Sequence, residues 1–173
     1  ASHGGILPPY QYLIVDEAHH LPDVATDAFS LSVSNRGIKR LLARAAKRVN
    51  APAHLLGDIE IASGQFYFHL YNMTRVPRFR LHETVEGVQE LLEALDKLRV
   101  WLENCDFSHI LDVEMAREKA QLKAKSLITT ISAYIKCLKL LEDPSQDYVT
   151  WVERTDRAEV KLEVVAAPLD ASP

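Results

Sequence analysis

Two long apolar stripes in the second half of the chain most limit what it can fold into. In the first, Val85, Val88, Leu92, Leu95, Leu98 and Leu102 recur at steps of three or four. In the second, Val113, Ala116, Ala120, Ala124, Leu127, Ile131, Tyr134, Leu138 and Leu141 do the same. That spacing places each set on one face of a helix. At ~1.5 Å per residue the two helices reach roughly 33 Å and 45 Å. Asp112, Glu114 and Glu118 begin the second stripe and Lys136 and Lys139 end it, matching the helix dipole, before Asp143-Pro144 stops it. A short link between two long helices implies an antiparallel pair. A fold built on this pair is mainly α.

The remaining segments are shorter. Tyr12 to Val15 reads as a buried strand, its branched run suiting a strand covered on both faces, and a short helix is expected from Pro22 to Phe29. Ser34 is placed to cap a helix from Asn35 to Val49, where Ile38, Leu41, Leu42, Ala45 and Val49 keep helical spacing. Pro52, Gly57, Gly64 and Pro77 break the next stretch, leaving an aromatic helix over Ile61 to Asn72. Tyr148 to Glu153 and Glu159 to Val165 alternate around "RTDRA", which predicts a β-hairpin. The expected architecture is a long antiparallel helical hairpin or bundle, with a small β element formed by the N-terminal strand and the C-terminal hairpin.

Composition narrows the class. The 173 residues are 47% apolar and 25% charged, as in a folded globular chain. No apolar run approaches the roughly 20 residues of a membrane helix. No basic segment precedes an apolar one at the start, so no secretory signal is expected. The absence of an initiator methionine suggests a processed chain or a piece of a longer one. Cys105 and Cys137 have no partner spacing and are expected as reduced packing residues, which suits a cytoplasmic setting. The net charge of −4 gives no global attraction to nucleic acid, so any such contact needs a local basic face.

The stretch "LIVDEAHHL", Leu13 to Leu21, carries the chemistry. Carboxylates at the C-terminal end of a parallel strand stand at the crevice where such sheets bind ligands. There Asp16 would hold Mg²⁺ through water, since a hard cation takes oxygen ligands. Glu17 would orient or deprotonate the water that attacks a γ-phosphate, and His19 would sense the nucleotide state. Two other readings stay open. One is a charged turn after a buried strand. The other is a zinc site, weakened because HExxH places its histidines four apart on one helix face, whereas His19 and His20 are neighbours expected to point apart. His3 lies too near the start to weigh.

The segment "LPPYQYLIVDEAHHLPDVATDAF" resembles the motif II region of the DinG/XPD group of superfamily 2 DNA helicases, where a DEAH box is followed by a second histidine and a leucine. The stretch "YVTWVER…LEVVAAPLDAS" is similar to that group's return to the motor. The resemblance implies a mostly helical arch inserted in motor domain 1, and it assigns residues 1–30 to the end of that domain, 31–146 to the arch and 147–173 to the return segment. It implies ATP and Mg²⁺ at the DEAH box, single-stranded DNA as partner, and the rest of the motor in the same polypeptide. The chain holds no G-x-x-x-x-G-K-S/T loop, no four clustered cysteines for the iron–sulfur cluster of many members, and no second motor domain. It is therefore expected to be an excised piece that does not hydrolyse ATP alone, since nothing in it cradles the triphosphate.

Two surfaces are candidates for DNA contact. Arg36, Lys39, Arg40, Arg44, Lys47 and Arg48 leave the apolar stripe of their helix free and could meet phosphates, although a solvated basic face is equally ordinary. In "QFYFHLYNMTRVPRFR", Phe66, Tyr67, Phe68 and Tyr71 lie beside Arg75, Arg78 and Arg80, a composition that suits stacking of single-stranded bases. The competing view makes these aromatics core anchors. Trp101 and Trp151 read as packing residues. The alternative to the helicase reading is a helical module that binds protein or nucleic acid without nucleotide hydrolysis.

Overall fold

The computed structural model describes residues 12, 14, 16–20, 24, 28–73, 75–81, 84–106, 114–142, 147–156 and 160–169. Among them are four α-helices and one four-stranded antiparallel sheet. The helices are α1 (Asn35–Val49), α2 (Ala53–Met73), α3 (Val88–Asn104) and α4 (Glu114–Glu142). The strands are β1 (Leu31–Ser34), β2 (Arg78–Arg80), β3 (Tyr148–Asp156) and β4 (Val160–Pro168), in the order β1-β4-β3-β2. The mainly helical fold with a small β element is as expected.

The N-terminal partner of the hairpin is not the strand expected at Tyr12 to Val15. Tyr12 and Ile14 belong to no strand and are exposed, while positions 13 and 15 lie outside the described residues. The pairing strand is β1, where Leu31 and Val33 alternate with Ser32 and Ser34. Alternation is what a sheet needs when one face is buried. β1 pairs with β4, Val33 opposite Val164 and Ser34 opposite Glu163. The row continues from Val164 to Val152 and from Val152 to Phe79, so one line of apolar side chains crosses all four strands. β2 was not foreseen, although "RFR" carries the same alternation. The hairpin strands are longer than expected, since β3 runs through Arg154 and Thr155 to Asp156.

Local signals explain the helices. Ser34 caps α1 as expected, its Oγ accepting from the Gly37 N–H at 3.1 Å. Asn50 ends the helix in the left-handed conformation at φ 53°, and the Ala51 N–H donates to the Ala45 carbonyl. The expected interruptions at Gly57 and Gly64 do not occur. Both glycines lie inside α2, which runs for 21 residues. Burial of Ile59, Ala62, Phe66, Tyr67 and Leu70 on one side outweighs the roughly 1 kcal/mol each glycine costs.

α3 starts at Val88, three residues later than the periodicity suggested, because Gly87 at φ 85° turns the chain into it. A Cβ at Gly87 would lie 3.3 Å from the Phe66 backbone, so the position demands both glycine's freedom and its lack of a side chain. Val85 is buried just before the helix. The seventeen residues of α3 span about 26 Å and the 29 of α4 about 44 Å. The first helix is thus shorter than expected. Asp112, Val113, Asp143 and Pro144 lie outside the described residues.

α4 is the central element. It packs on α3, α1 and β1, and Leu127, Ile131, Leu138 and Leu141 are buried along it. Helices and sheet share one hydrophobic core that joins Val33, Val152, Leu162, Val164 and Ala166 to the helix stripes. Both cysteines are free thiols, Cys137 fully buried with its S–H directed at the Leu31 carbonyl, 3.5 Å away. Trp101 packs at the edge of that core. No described helix is long and apolar enough to cross a membrane.

Candidate functional site

The acidic pair sits on a tight turn that enters a single 3₁₀ turn, Ala18–His20. The Asp16 Oδ1 accepts from the Glu17 N–H at 3.0 Å, and the Glu17 carbonyl accepts from the His20 N–H at 2.9 Å. Glu17 is held at φ 54°, a left-handed conformation that costs a non-glycine residue about 1–2 kcal/mol. The turn folds the Glu17 carboxylate back onto the His19 ring, Oε2 to Nδ1 at 3.2 Å. Asp16, Glu17, His19 and His20 are all exposed.

The histidines do not point apart. Their ring centroids are 4.0 Å from each other at an interplanar angle of 42°. One ligand atom each from Glu17, His19 and His20 lies within 4.8 Å of the others. That corrects the geometric objection to a metal at this turn, since the Glu17, His19 and His20 ligand atoms converge even though adjacent residues of a 3₁₀ turn start out about 120° apart. The Asp16 carboxylate is exposed, engages one backbone N–H within the turn and offers the hard oxygen donors a water-retaining Mg²⁺ takes.

The basic candidates differ in exposure and in the partners they hold. On α1, Lys39, Arg40, Lys47 and Arg48 are exposed, and Arg36 and Arg44 are half-buried. The Arg44 Nη2 donates to the Ser126 Oγ at 3.1 Å, tying the basic face of α1 to α4. Arg75 and Arg80 are exposed. Arg78 is already occupied, with its Nη2 2.7 Å from the Glu153 Oε1 and its guanidinium 5.5 Å from the Trp151 ring centroid. The Trp151 indole N–H donates to the same Glu153 oxygen at 2.9 Å. This hydrogen bond, reinforced by Arg78, holds the Glu153 carboxyl below the usual carboxylate range.

The aromatic run splits in the same way. Phe66 and Tyr67 are buried, edge to face with centroids 5.1 Å apart, so neither offers a ring to a base. Burial pushes the Tyr67 hydroxyl well up. Phe68 is 63% exposed, and Tyr71 lies under the Arg154 guanidinium at 4.6 Å. A helical period of 3.6 sends consecutive aromatics to different sides, which the sequence run alone conceals.

No protein-family model and no curated protein sequence matches this chain. The site is therefore read from its own residues. Sequence reasoning missed two features. One is the Arg78–Glu153–Trp151 cluster, for which the alternation of "RFR" opposite "WVE" was the available signal. The other is the polar cavity between α1, α4 and β4, which no local pattern announces because its walls are far apart in sequence.

Proposed function

We propose that this chain is the motif II turn and helical arch of an ATP-dependent DNA helicase of the DinG/XPD type. One observation carries the reading. The apolar residues leading into the acidic turn are bare, Tyr12 at 88% and Ile14 at 94% exposed, while the helices and sheet complete a core of their own. A branched apolar run of this kind suits a strand covered on both faces. Phe29 and Leu169, at the other landmarks of the resemblance, are also open at 67% and 55%. Cover from a motor domain in the same polypeptide accounts for all four.

On this reading Asp16 presents its carboxylate to Mg²⁺, which supplies charge neutralisation at the phosphates. Glu17 orients and takes a proton from the attacking water. His19, 3.2 Å from the Glu17 carboxylate, couples that residue's position to the turn that follows. Arg36, Arg40, Arg44 and Lys47 on α1, with Arg75 and Arg80, form the surface for a single strand, and Arg78 contributes through the sheet it braces. The setting is the cytosol, and ATP and single-stranded DNA are the ligands.

A second reading is a helical interaction module with no nucleotide hydrolysis. It draws on Ile61 and Phe68, seven residues apart on one row of α2 and 65% and 63% exposed. Steady-state ATP turnover separates the two. A polypeptide joining this segment to a phosphate-binding loop is expected to hydrolyse ATP faster when single-stranded DNA is added, and the 173-residue chain alone to show no turnover. Failure of the longer polypeptide to respond, or Glu17-dependent turnover by the short chain, would remove the helicase reading.

A further inference from the structure

The junction of α1, α4 and the sheet edge encloses a polar cavity of about 290 Å³. Three cations line it, Arg40 and Arg44 from successive turns of α1 and Lys161 from β4, against a single carboxylate, Glu163. Glu163 is already engaged, its Oε1 accepting from the Ser32 Oγ–H at 3.0 Å and its Oε2 paired with the Lys161 Nζ. The cavity therefore keeps two positive charges that nothing inside it neutralises.

Neither arginine finds a carboxylate among the described residues. The Arg44 Nε–H is shielded from solvent without an acceptor, although its Nη2 reaches Ser126. A buried N–H left without an acceptor is unfavourable, and the protein alone leaves this arginine's donor capacity unmet. The wall opposite is the Tyr134 hydroxyl, seated over Gly37, where a Cβ would come within 2.7 Å of it. Burial raises the Tyr134 pKa while Arg40 and Arg44 oppose the rise, and the phenol stays a protonated donor near neutral pH. The ligand such a pocket complements carries negative charge and several acceptor oxygens at once.

We propose that this cavity binds a phosphate group, clamped by Arg40 and Arg44 and completed by Tyr134 and Lys161. The volume exceeds that of a lone phosphate, so the group arrives either on a small phosphate ester or on a nucleic-acid backbone. The inference shares two arginines with the strand-contact surface but does not depend on the helicase reading, because its test contains neither ATP nor a motor domain.

The test is calorimetric titration of the 173-residue chain with inorganic phosphate, with chloride at matched ionic strength as the reference. Phosphate is expected to bind and chloride not. Arg40→Ala should weaken phosphate binding roughly five- to tenfold, as expected for one charge-assisted contact. Lys139→Ala removes the same charge from an exposed position elsewhere on α4 and should leave binding unchanged. Glu163→Gln should strengthen binding, a direction that simple loss of structure would not produce. Equal heats from phosphate and chloride, equal losses in the Arg40 and Lys139 variants, or unchanged or weaker binding in Glu163→Gln would each overturn the proposal. Adding a short single-stranded oligonucleotide then identifies the source, since competition with phosphate assigns the site to a backbone and its absence to a small ester.

Discussion

Replacing glycine by alanine should have opposite signs at different positions of this chain, and the structure sets the size of each effect. Gly57 and Gly64 lie in the interior of α2, and a Cβ at either would meet nothing within 4 Å. Alanine there removes backbone entropy from the unfolded chain and adds no contact, a gain of roughly 0.5–1 kcal/mol per site. The sites are two turns, about 10.5 Å, apart along the axis, so the effects should add to roughly 1–2 kcal/mol. At this chain length that corresponds to a rise of roughly 2–8 °C in Tm. Gly87 differs, because its φ of 85° disfavours any Cβ and the Phe66 backbone stands 3.3 Å from where one would sit. Gly87→Ala should cost roughly 1–3 kcal/mol. Urea unfolding followed by circular dichroism reads all three variants, and the slope should stay constant while the midpoint moves. A loss of stability in Gly57→Ala or Gly64→Ala would mean that α2 is interrupted there, and the reasoning would fail.

Other outcomes follow from burial and charge. Leu127→Ala, at a fully buried position of α4, should cost ~2–5 kcal/mol, whereas Leu122→Ala, 65% exposed on the same helix, should stay within about 0.5 kcal/mol by the same melts. Burial pushes the Cys137 thiol up to about 12. Under native conditions a thiol reagent should therefore label Cys105 and spare Cys137, and the fold should lose stability as pH rises from the ordinary thiol value of 9.0 toward 12. Glu153 is shifted the other way, by the Trp151 indole and then Arg78, so its contribution is present above the ordinary carboxyl value of 4.5 and is lost as pH falls through its lower folded value. Stability curves of wild type and Glu153→Gln should accordingly separate near neutral pH and converge in acid.

Where one local signal dominates, the sequence was enough. The stripe through Leu127, Ile131 and Leu138, the Ser34 cap and the alternation of the C-terminal hairpin each reflect a period that a single element imposes on its own residues. Misreadings arose where tertiary packing decides. Gly57 and Gly64 look like breaks in the sequence because propensity is local, while the burial that carries α2 through them comes from its packing on α3 and α1. Tyr12 to Val15 reads as a strand because a continuous apolar run is the stronger signal, and the half-polar Leu31 to Ser34 carries a weaker one. The sheet needed the half-polar one, with Val33 inward and Ser34 free to cap. At the acidic turn the residue types were legible and their arrangement was not, since the left-handed Glu17 and the convergence of the His19 and His20 rings leave no periodic mark on the sequence.

If Asp16 and Glu17 belong to a nucleotide site, one substitution should reveal it. In a polypeptide joining this segment to a phosphate-binding loop, Glu17→Gln keeps the shape of the turn and removes the proposed base. ATP hydrolysis should then fall by at least roughly 100-fold, while ATP binding measured by equilibrium dialysis persists. Hydrolysis within a few-fold of wild type would mean that Glu17 is not the base and that the turn is not part of a nucleotide site.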